Sequence, residues 1–246
     1  MKDSAPQTVS PADYSPFGYV IEDVHLTVRL DPGKTRVQSR IRFAPNPEAR
    51  DRDFFLHGED LTLLWAKIDG AAVTPQLSEQ GLRCAVPDGA FTWEAEVEIA
   101  PESNTALEGL YMSNGMYCTQ CEAEGFRRIT FFPDRPDVLS VYTVRMTGSR
   151  KTFPVLLSNG NPVDSGDGWA EWHDPWPKPA YLFALVAGDL AVFRSAGAYG
   201  ATMASSYNSR GFVPEVLVDG DRYAVVADRI APGAIMESER VPDWLT

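Results

Sequence analysis

The stretch FTWEAEVEI, residues 91–99, decides the fold, because apolar and polar residues alternate along it without interruption. This period of two residues is typical of a half-buried β-strand. Three glutamates, Glu94, Glu96 and Glu98, share one face, and we expect all three to face water because burying an unpaired carboxylate is costly. Pro101 ends the predicted strand.

The same alternation occurs nearer the N-terminus, in residues 24–30 and 36–43. The intervening Asp31-Pro32-Gly33-Lys34 is a turn sequence, so the two runs predict a hairpin. Further short strand-like runs, separated by Gly, Pro, Asn and Asp, are residues 61–68, 138–146, 153–157, 169–172 and 181–186. Long helical periodicity is nearly missing. The sequence therefore predicts an all-β domain, a β-sandwich or a related multi-sheet structure.

Changes in composition along the chain predict three parts. Residues 1–17 are rich in Ser, Pro and Asp and are expected to be a mobile lead-in. Residues 18–193 form the β-domain. Residues 194–246 are predicted to be a divergent linker followed by a small β-hairpin tail, with strands at residues 216–218 and 223–226 around an Asp-Gly-Asp turn.

The charge and cysteine content narrow the function. The net charge of −12 opposes binding to nucleic acid or to an anionic membrane, so neither is an expected partner. The three cysteines are too few and odd in number for a disulfide framework, and no apolar leader follows Met1. These features favour a cytoplasmic location.

A Cys-x-x-Cys pair at Cys118 and Cys121 raises the question of a metal or redox site. Tetrahedral zinc requires four ligands, and Cys84 is the only other thiol in the chain. A redox pair normally opens a helix, which this β-rich neighbourhood lacks. The three cysteines are therefore expected to be packing thiols.

The turn-rich stretch that follows Cys118 contains one side-chain amide and several acids. A loop carboxylate with a nearby side-chain amide can hold the ammonium group of a ligand through a charge-assisted contact worth about 1.5–3 kcal/mol. A solvated acidic loop is the alternative interpretation, and the residues alone do not decide between the two.

Several strings closely resemble the N-terminal domain of bacterial aminopeptidase N, a zinc exopeptidase. The resemblance covers roughly residues 14–193 and rests on HGEDL (57–61), NTALEGLY (104–111), CTQCEAEGFR (118–127), DRPDV (134–138), LSNGN (157–161) and KPAYLFALVAGD (178–189). It implies a saddle-like β-domain that docks on a catalytic domain. It also implies that Gln120 and Glu122 contact the substrate's N-terminal residue, Glu122 pairing with the free α-ammonium.

The chain departs from that family where the chemistry is concerned. The family holds zinc with an HExxH motif and a distal Glu, and none of His25, His57 or His173 begins such a motif. No cofactor is therefore expected in this chain. The resemblance implies zinc only for the full-length proteins of the family. Residues 233–238, GAIMES, resemble the family's Gly-Ala-Met-Glu-Asn loop with an inserted Ile, which offers Glu237 as a further ammonium contact.

Two classes of function follow. The first is a substrate-anchoring or interaction module that binds peptide N-termini weakly. In such a module, the face that a catalytic domain would cover is available to a protein partner or to a second copy of the chain. The second is a reduced hydrolase, an aminopeptidase or esterase with an atypical site such as His173-Asp174 with a distant Ser. A fragment of a longer gene is a further possibility. Whether the chain is an enzyme stays open.

Overall fold

The computed structural model describes residues 14–188, 211–237 and 240 of the chain. An N-terminal unit extends to Leu190, and a C-terminal unit begins at Ala191. The described residues are mostly strands in several sheets, which confirms the predicted all-β, multi-sheet class. Most of the predicted lead-in and linker, residues 1–13 and 194–210, lies outside the described residues.

The N-terminal unit contains fifteen described strands and three short 3-10 turns. In chain order the strands are β1 (Tyr19–Arg29), β2 (Thr35–Pro45), β3 (Phe55–His57), β4 (Thr62–Ile68), β5 (Ala71–Ala72), β6 (Gln76–Ser78), β7 (Gly81–Arg83), β8 (Phe91–Ile99), β9 (Gly109–Ser113), β10 (Met116–Gln120), β11 (Leu139–Thr147), β12 (Val155–Ser158), β13 (Asn161–Gly166), β14 (Trp169–Pro179) and β15 (Leu185–Gly188). The 3-10 turns are Pro101–Ser103, Phe126–Arg128 and Ala180–Leu182.

These strands form three sheets. The largest has eight strands in the order β13-β14-β11-β1-β2-β8-β4-β5, and β1 and β11 are its parallel pair. A four-stranded sheet has the order β12-β15-β10-β9, and a small sheet has the order β3-β7-β6. The predicted hairpin is confirmed as β1 and β2, which pair antiparallel, and residues 91–99 form β8, which pairs with β2.

The alternating apolar residues of β1, β2 and β8 fill the core beneath the large sheet. At one end the core is aromatic, since Tyr19, Phe43, Phe54 and Phe91 pack mostly edge to face, with ring centroids 5.1 to 6.2 Å apart. Such contacts stabilise a core beyond the area they bury. Trp93 continues the same face and is fully buried.

The expectation that all three glutamates of β8 face water is wrong for Glu96, which is buried. Its Oε1 atom accepts hydrogen bonds from Arg29 at 3.4 Å and Arg36 at 3.5 Å, and its Oε2 atom accepts one from the Trp65 indole at 3.2 Å. Two guanidinium groups and an indole replace the water that the carboxylate loses, so its burial is tolerated.

The C-terminal unit consists, in its described part, of β16 (Glu215–Asp219), β17 (Arg222–Ala227) and the helix α1 (Pro232–Met236). β16 and β17 pair antiparallel, which confirms the predicted hairpin. The helix was not predicted, although a proline is well tolerated in the first turn of a helix. None of the helices among the described residues has the length and apolar character needed to cross a membrane.

Replacing Glu96 with alanine is expected to lower the free energy of unfolding by about 1–3 kcal/mol, because the Trp65 indole and two guanidinium groups lose a buried acceptor. Glu98→Ala is the matched control on the same strand, and the more exposed carboxylate of Glu98 forms an ion pair with Arg36 at 3.6 Å. This control should cost less than about 1 kcal/mol. Urea denaturation followed by tryptophan fluorescence measures both, and equal losses would contradict the role given to Glu96.

Candidate functional site

The residues predicted to bind an amine lie on a short segment that leaves the four-stranded sheet. Gln120 is the last residue of β10, where it pairs with Gly109, so the segment begins at the end of a strand. Its side-chain nitrogen donates a hydrogen bond of 3.1 Å to the backbone carbonyl of Glu122. The structure therefore brings Gln120 and Glu122 together. We call residues 120–125 the anchor loop.

The anchor loop is held closed by its own backbone. Cys121 is buried in the core, and its carbonyl accepts a hydrogen bond of 2.9 Å from the Gly125 amide. A Cβ atom on Gly125 would lie 2.2 Å from the Gln120 carbonyl oxygen, so only glycine allows this close approach. The peptide bond between Glu122 and Ala123 is cis.

Arg127 fastens the anchor loop to the following segment through a buried ion pair. Its Nε atom and its backbone amide each donate to Asp134 Oδ2 at 3.1 Å, and its Nη2 atom donates to the Asp134 carbonyl at 3.2 Å. The Nη1 atom pairs with Glu124 at 3.1 Å. One guanidinium group thus links the loop to Asp134, which is only 5% exposed.

His57 completes this arrangement from β3. Its Nδ1 atom accepts a hydrogen bond of 3.2 Å from the Asp134 amide, and its backbone is bridged to Phe132. Burial and the nearby charge of Arg127 lower the pKa of His57 to about 4, so the ring is neutral at pH 7. Burial raises the pKa of Asp134, and its hydrogen bonds from Arg127 oppose that rise.

The neighbouring Arg128 holds a second cluster of acids. It forms ion pairs with Glu59, Asp60 and Glu108, which come from two separate segments of the chain. The two consecutive arginines therefore fix the anchor loop against β3 on one side and the start of β9 on the other. Sequence reasoning gave neither arginine a role, and the only available signal was their adjacency in a strongly acidic chain.

The two glutamates of the anchor loop differ in what their carboxylates contact. Glu124 pairs with Arg127. Among the residues that the structure describes, the exposed carboxylate of Glu122 forms neither a hydrogen bond nor an ion pair. Within the described part of the chain, the Glu122 carboxylate therefore has no cationic partner, and this arrangement can accept a ligand's ammonium group.

Gln120 also belongs to the outer face of the four-stranded sheet. Tyr117 and Ala187 are paired and buried on the inner face, so the alternation places Cys118, Gln120 and Val186 on the opposite side. Val186 pairs with Leu157 of β12, and both are exposed. This outer face, defined by Cys118, Gln120, Leu157 and Val186, presents apolar side chains beside the amide.

The residues described do not fit a zinc site or a hydrolytic triad. The Nδ1 atom of His173 contacts the Thr143 hydroxyl at 2.9 Å, and the Asp174 carboxylate is paired with Lys178 rather than with His173. His25 contacts Asp23 at 3.2 Å. Within the described ranges, no group of three or more His, Cys, Asp or Glu side chains is placed to hold a metal ion.

The cysteines and Glu237 complete the predicted site residues. All three cysteines are free thiols, and burial raises the pKa of each, most strongly that of Cys121. Such thiols are weak nucleophiles at pH 7. Glu237 is exposed and follows α1 in the C-terminal unit. Its assignment as a second ammonium contact stays a prediction.

Replacing Arg127 with alanine is expected to destabilise the N-terminal unit by about 3–5 kcal/mol, because it leaves the Asp134 carboxylate buried without a cation. Glu124→Ala is the matched control, since it removes only the 69% exposed partner of the same guanidinium group and should cost less than about 1 kcal/mol. Urea denaturation monitored by circular dichroism measures both. Similar losses in the two variants would show that Asp134 does not depend on Arg127.

A pH dependence follows from His57. Its pKa in the folded chain, about 4, lies below the usual 6.5, so the unfolded chain binds more protons between these values. Stability is therefore expected to fall as the pH drops from 6.5 towards 4 and to be insensitive to this ring above 6.5. His57→Gln should flatten the urea midpoint between pH 6.5 and 5, whereas His25→Gln should not. An unchanged slope in His57→Gln would contradict this.

The greater part of the chain is similar in sequence to aminopeptidases. Aminopeptidase N of Caulobacter vibrioides is 52% identical over 200 residues, covering 78% of this chain, and that of Escherichia coli is 43% identical over 205 residues, covering 77%. The solved structure of Legionella pneumophila aminopeptidase A in complex with aspartic acid has a TM-score of 0.67 at 32% identity and covers 73% of this chain and 22% of its own.

A second group of relatives is of a different kind. Diaminopimelate decarboxylase of Neisseria meningitidis is 60% identical over 46 residues, which amount to 19% of this chain and 11% of that protein. Diaminopimelate decarboxylase of Zymomonas mobilis is 43% identical over 75 residues, or 30% of this chain and 18% of that protein.

The family model for the peptidase M1 N-terminal domain matches residues 11–182, which include β3, the anchor loop, Arg127 and Asp134. The chain spans less than a quarter of the length of the aminopeptidases that it matches, 23% and 22% for those of C. vibrioides and E. coli. The chain therefore belongs to the peptidase M1 N-terminal domain family, and its matched residues correspond to the N-terminal domain of aminopeptidase N.

Proposed function

We propose that the N-terminal unit anchors the free α-ammonium group of a peptide through the Glu122 carboxylate, with Gln120 beside it. One observation carries this proposal: Glu122 is exposed without a cationic partner among the described residues, while Arg127 holds the neighbouring Glu124. The hydrogen bond from Gln120 to the Glu122 backbone keeps the amide next to that charge.

The chemistry selects an amino terminus. An ammonium group forms a charge-assisted hydrogen bond with a carboxylate, and such bonds are about twice as strong as neutral ones. An internal peptide amide carries no charge and leaves the carboxylate unpaired, so the site discriminates against it. Because the loop is braced by Arg127 and Arg128, little ordering of the protein opposes binding.

We assign the anchoring role to a larger assembly rather than to catalysis by this chain. The chain matches only 23% of the C. vibrioides aminopeptidase N, so the greater part of an aminopeptidase of this class lies outside the matched region. The described residues of this chain do not fit a zinc site, so no hydrolytic step is derived for them. A catalytic part of that class is the partner that we propose.

The outer face of the four-stranded sheet is the surface that we propose for this partner. Val186 and Leu157 form an exposed apolar pair across neighbouring strands, and Leu182 nearby is 48% exposed. Covering these side chains removes apolar surface from water, which is the main driving force of protein association. A partner seated there would also approach Gln120. The three free thiols support a reducing, cytoplasmic location for this assembly.

Binding of short peptides tests the anchoring role. A tripeptide with a free amino group is expected to bind with a dissociation constant of roughly 1 mM or weaker, because one ionic contact barely exceeds the cost of association. Titration followed by 15N-1H NMR should shift the amides of the anchor loop. The N-acetylated tripeptide should leave them unchanged, and equal shifts with both peptides would refute the proposal.

Two isosteric variants serve as a matched pair for this titration. Glu122→Gln removes the unpaired charge and should abolish the shifts, whereas Glu124→Gln removes the paired charge and should keep them. The same samples test the reduced-hydrolase alternative with an aminoacyl nitroanilide and a chelator. Turnover by the unmodified chain that disappears in Glu122→Gln would favour that alternative over a pure anchoring role.

A further inference from the structure

The hairpin of the C-terminal unit is apolar on both of its faces. Cross-strand partners point to the same side, so the pairs Val216–Val225 and Val218–Tyr223 share one face, and Leu217–Ala224 lies on the other with Val226. The exposed fractions are 66% for Val218, 78% for Tyr223, 64% for Leu217 and 59% for Val226. We call residues 215–227 the ribbon.

A two-stranded ribbon of this composition is an incomplete structure. Isolated hairpins are at best marginally stable in water, and a sheet that is apolar on both sides is typically covered by a layer on each face. Within the described residues, β16 and β17 pair only with each other. Among those residues the ribbon therefore lacks neighbouring strands, and its faces form an apolar surface of the kind that marks an interface.

The second group of relatives indicates what covers the ribbon. The peptidase family model ends at residue 182, and the C. vibrioides aminopeptidase leaves about a fifth of the chain unmatched. We infer that the 46 residues matched by the N. meningitidis decarboxylase, 19% of this chain, lie beyond residue 182, in the part that contains the C-terminal unit from Ala191 onward. The matched segment is 11% of the decarboxylase, so nearly nine-tenths of that protein lies outside it.

We propose that the ribbon is the sheet-completing element of a diaminopimelate decarboxylase-type fold and that it docks onto a chain of that class from which the equivalent segment is missing. The two open edges of the ribbon supply backbone donors and acceptors to strands of the partner, as in strand addition. The apolar faces, centred on Val218 and Leu217, pack against the partner's layers. This docking does not depend on the amine-anchoring role of the N-terminal unit.

Co-expression tests the docking. The full chain, carrying an affinity tag, is produced together with the N. meningitidis decarboxylase from which the 46 matched residues have been deleted. The expected result is that the truncated enzyme is recovered in soluble form, in a 1:1 complex with the tagged chain by size-exclusion chromatography with light scattering. The intact decarboxylase should not bind, because its own segment fills the site.

Variants on each face identify the docking surface. Val218→Asp and Leu217→Asp should each lower recovery of the complex at least tenfold, while Leu77→Asp, at an exposed leucine of the N-terminal unit, should leave it unchanged. All three positions are exposed, and circular dichroism verifies that each variant folds. Equal recovery with all three variants would place the contact elsewhere and overturn the proposal.

Hydrogen exchange of the full chain alone provides a test that does not depend on solubility of the truncated enzyme. Ribbon amides should exchange rapidly and gain protection in the complex. Slow exchange in a monomer would show that the chain already covers the ribbon. Slow exchange in a dimer would identify a second copy as the occupant, and a truncated enzyme that stays insoluble beside the full chain would exclude the proposed partner. Each of these outcomes overturns the proposal.

Discussion

The buried ion pair between Arg127 and Asp134 is the contact on which the candidate site depends. Asp134 accepts hydrogen bonds from both the side chain and the backbone of Arg127, and its own amide donates to the His57 ring. These contacts join β3, the anchor loop and the segment before β11. Removing the cation would leave a desolvated carboxylate at the centre of this junction, which is among the costliest local changes in a folded protein.

The distribution of arginine explains how an acidic chain presents a usable carboxylate. The protein has 34 acidic and 22 basic residues, so its acids outnumber its cations. Arginines are placed at two of the buried acids, as Arg36 is at Glu96 and Arg127 is at Asp134. Glu122 is left exposed and without a cation among the described residues, which suits a cationic ligand.

The two units differ in how much of their own apolar surface is buried. In the N-terminal unit the alternating residues of β1, β2 and β8 are covered, and the aromatic cluster around Phe43 is nearly inaccessible to water. In the C-terminal unit, the described strands expose apolar residues on both sides. The match to the N. meningitidis decarboxylase concerns only 11% of that protein.

The sequence by itself determined the strands whose pattern is local. The alternation in residues 24–43 and 91–99 and the hairpin of residues 216–226 were predictable, because a period of two residues needs no knowledge of the rest of the chain. Two other strands were not predictable from the sequence. Turn residues such as Gly and Asn dominate Asn161–Gly166, and Gly109–Ser113 lies in a stretch without alternation. The resemblance pointed to Gln120 and Glu122, and the structure brings them together.

Only the tertiary structure decided which charges are buried and which are free. Glu94, Glu96 and Glu98 are equivalent by sequence pattern, yet only Glu96 is buried, because arginines of β1 and β2, 67 and 60 residues away, reach it. Likewise Glu122 and Glu124 are equivalent acids of one loop until Arg127 pairs with one of them. The physical reason is that the cost of burying a charge depends on partners brought in by the fold, which no local pattern encodes.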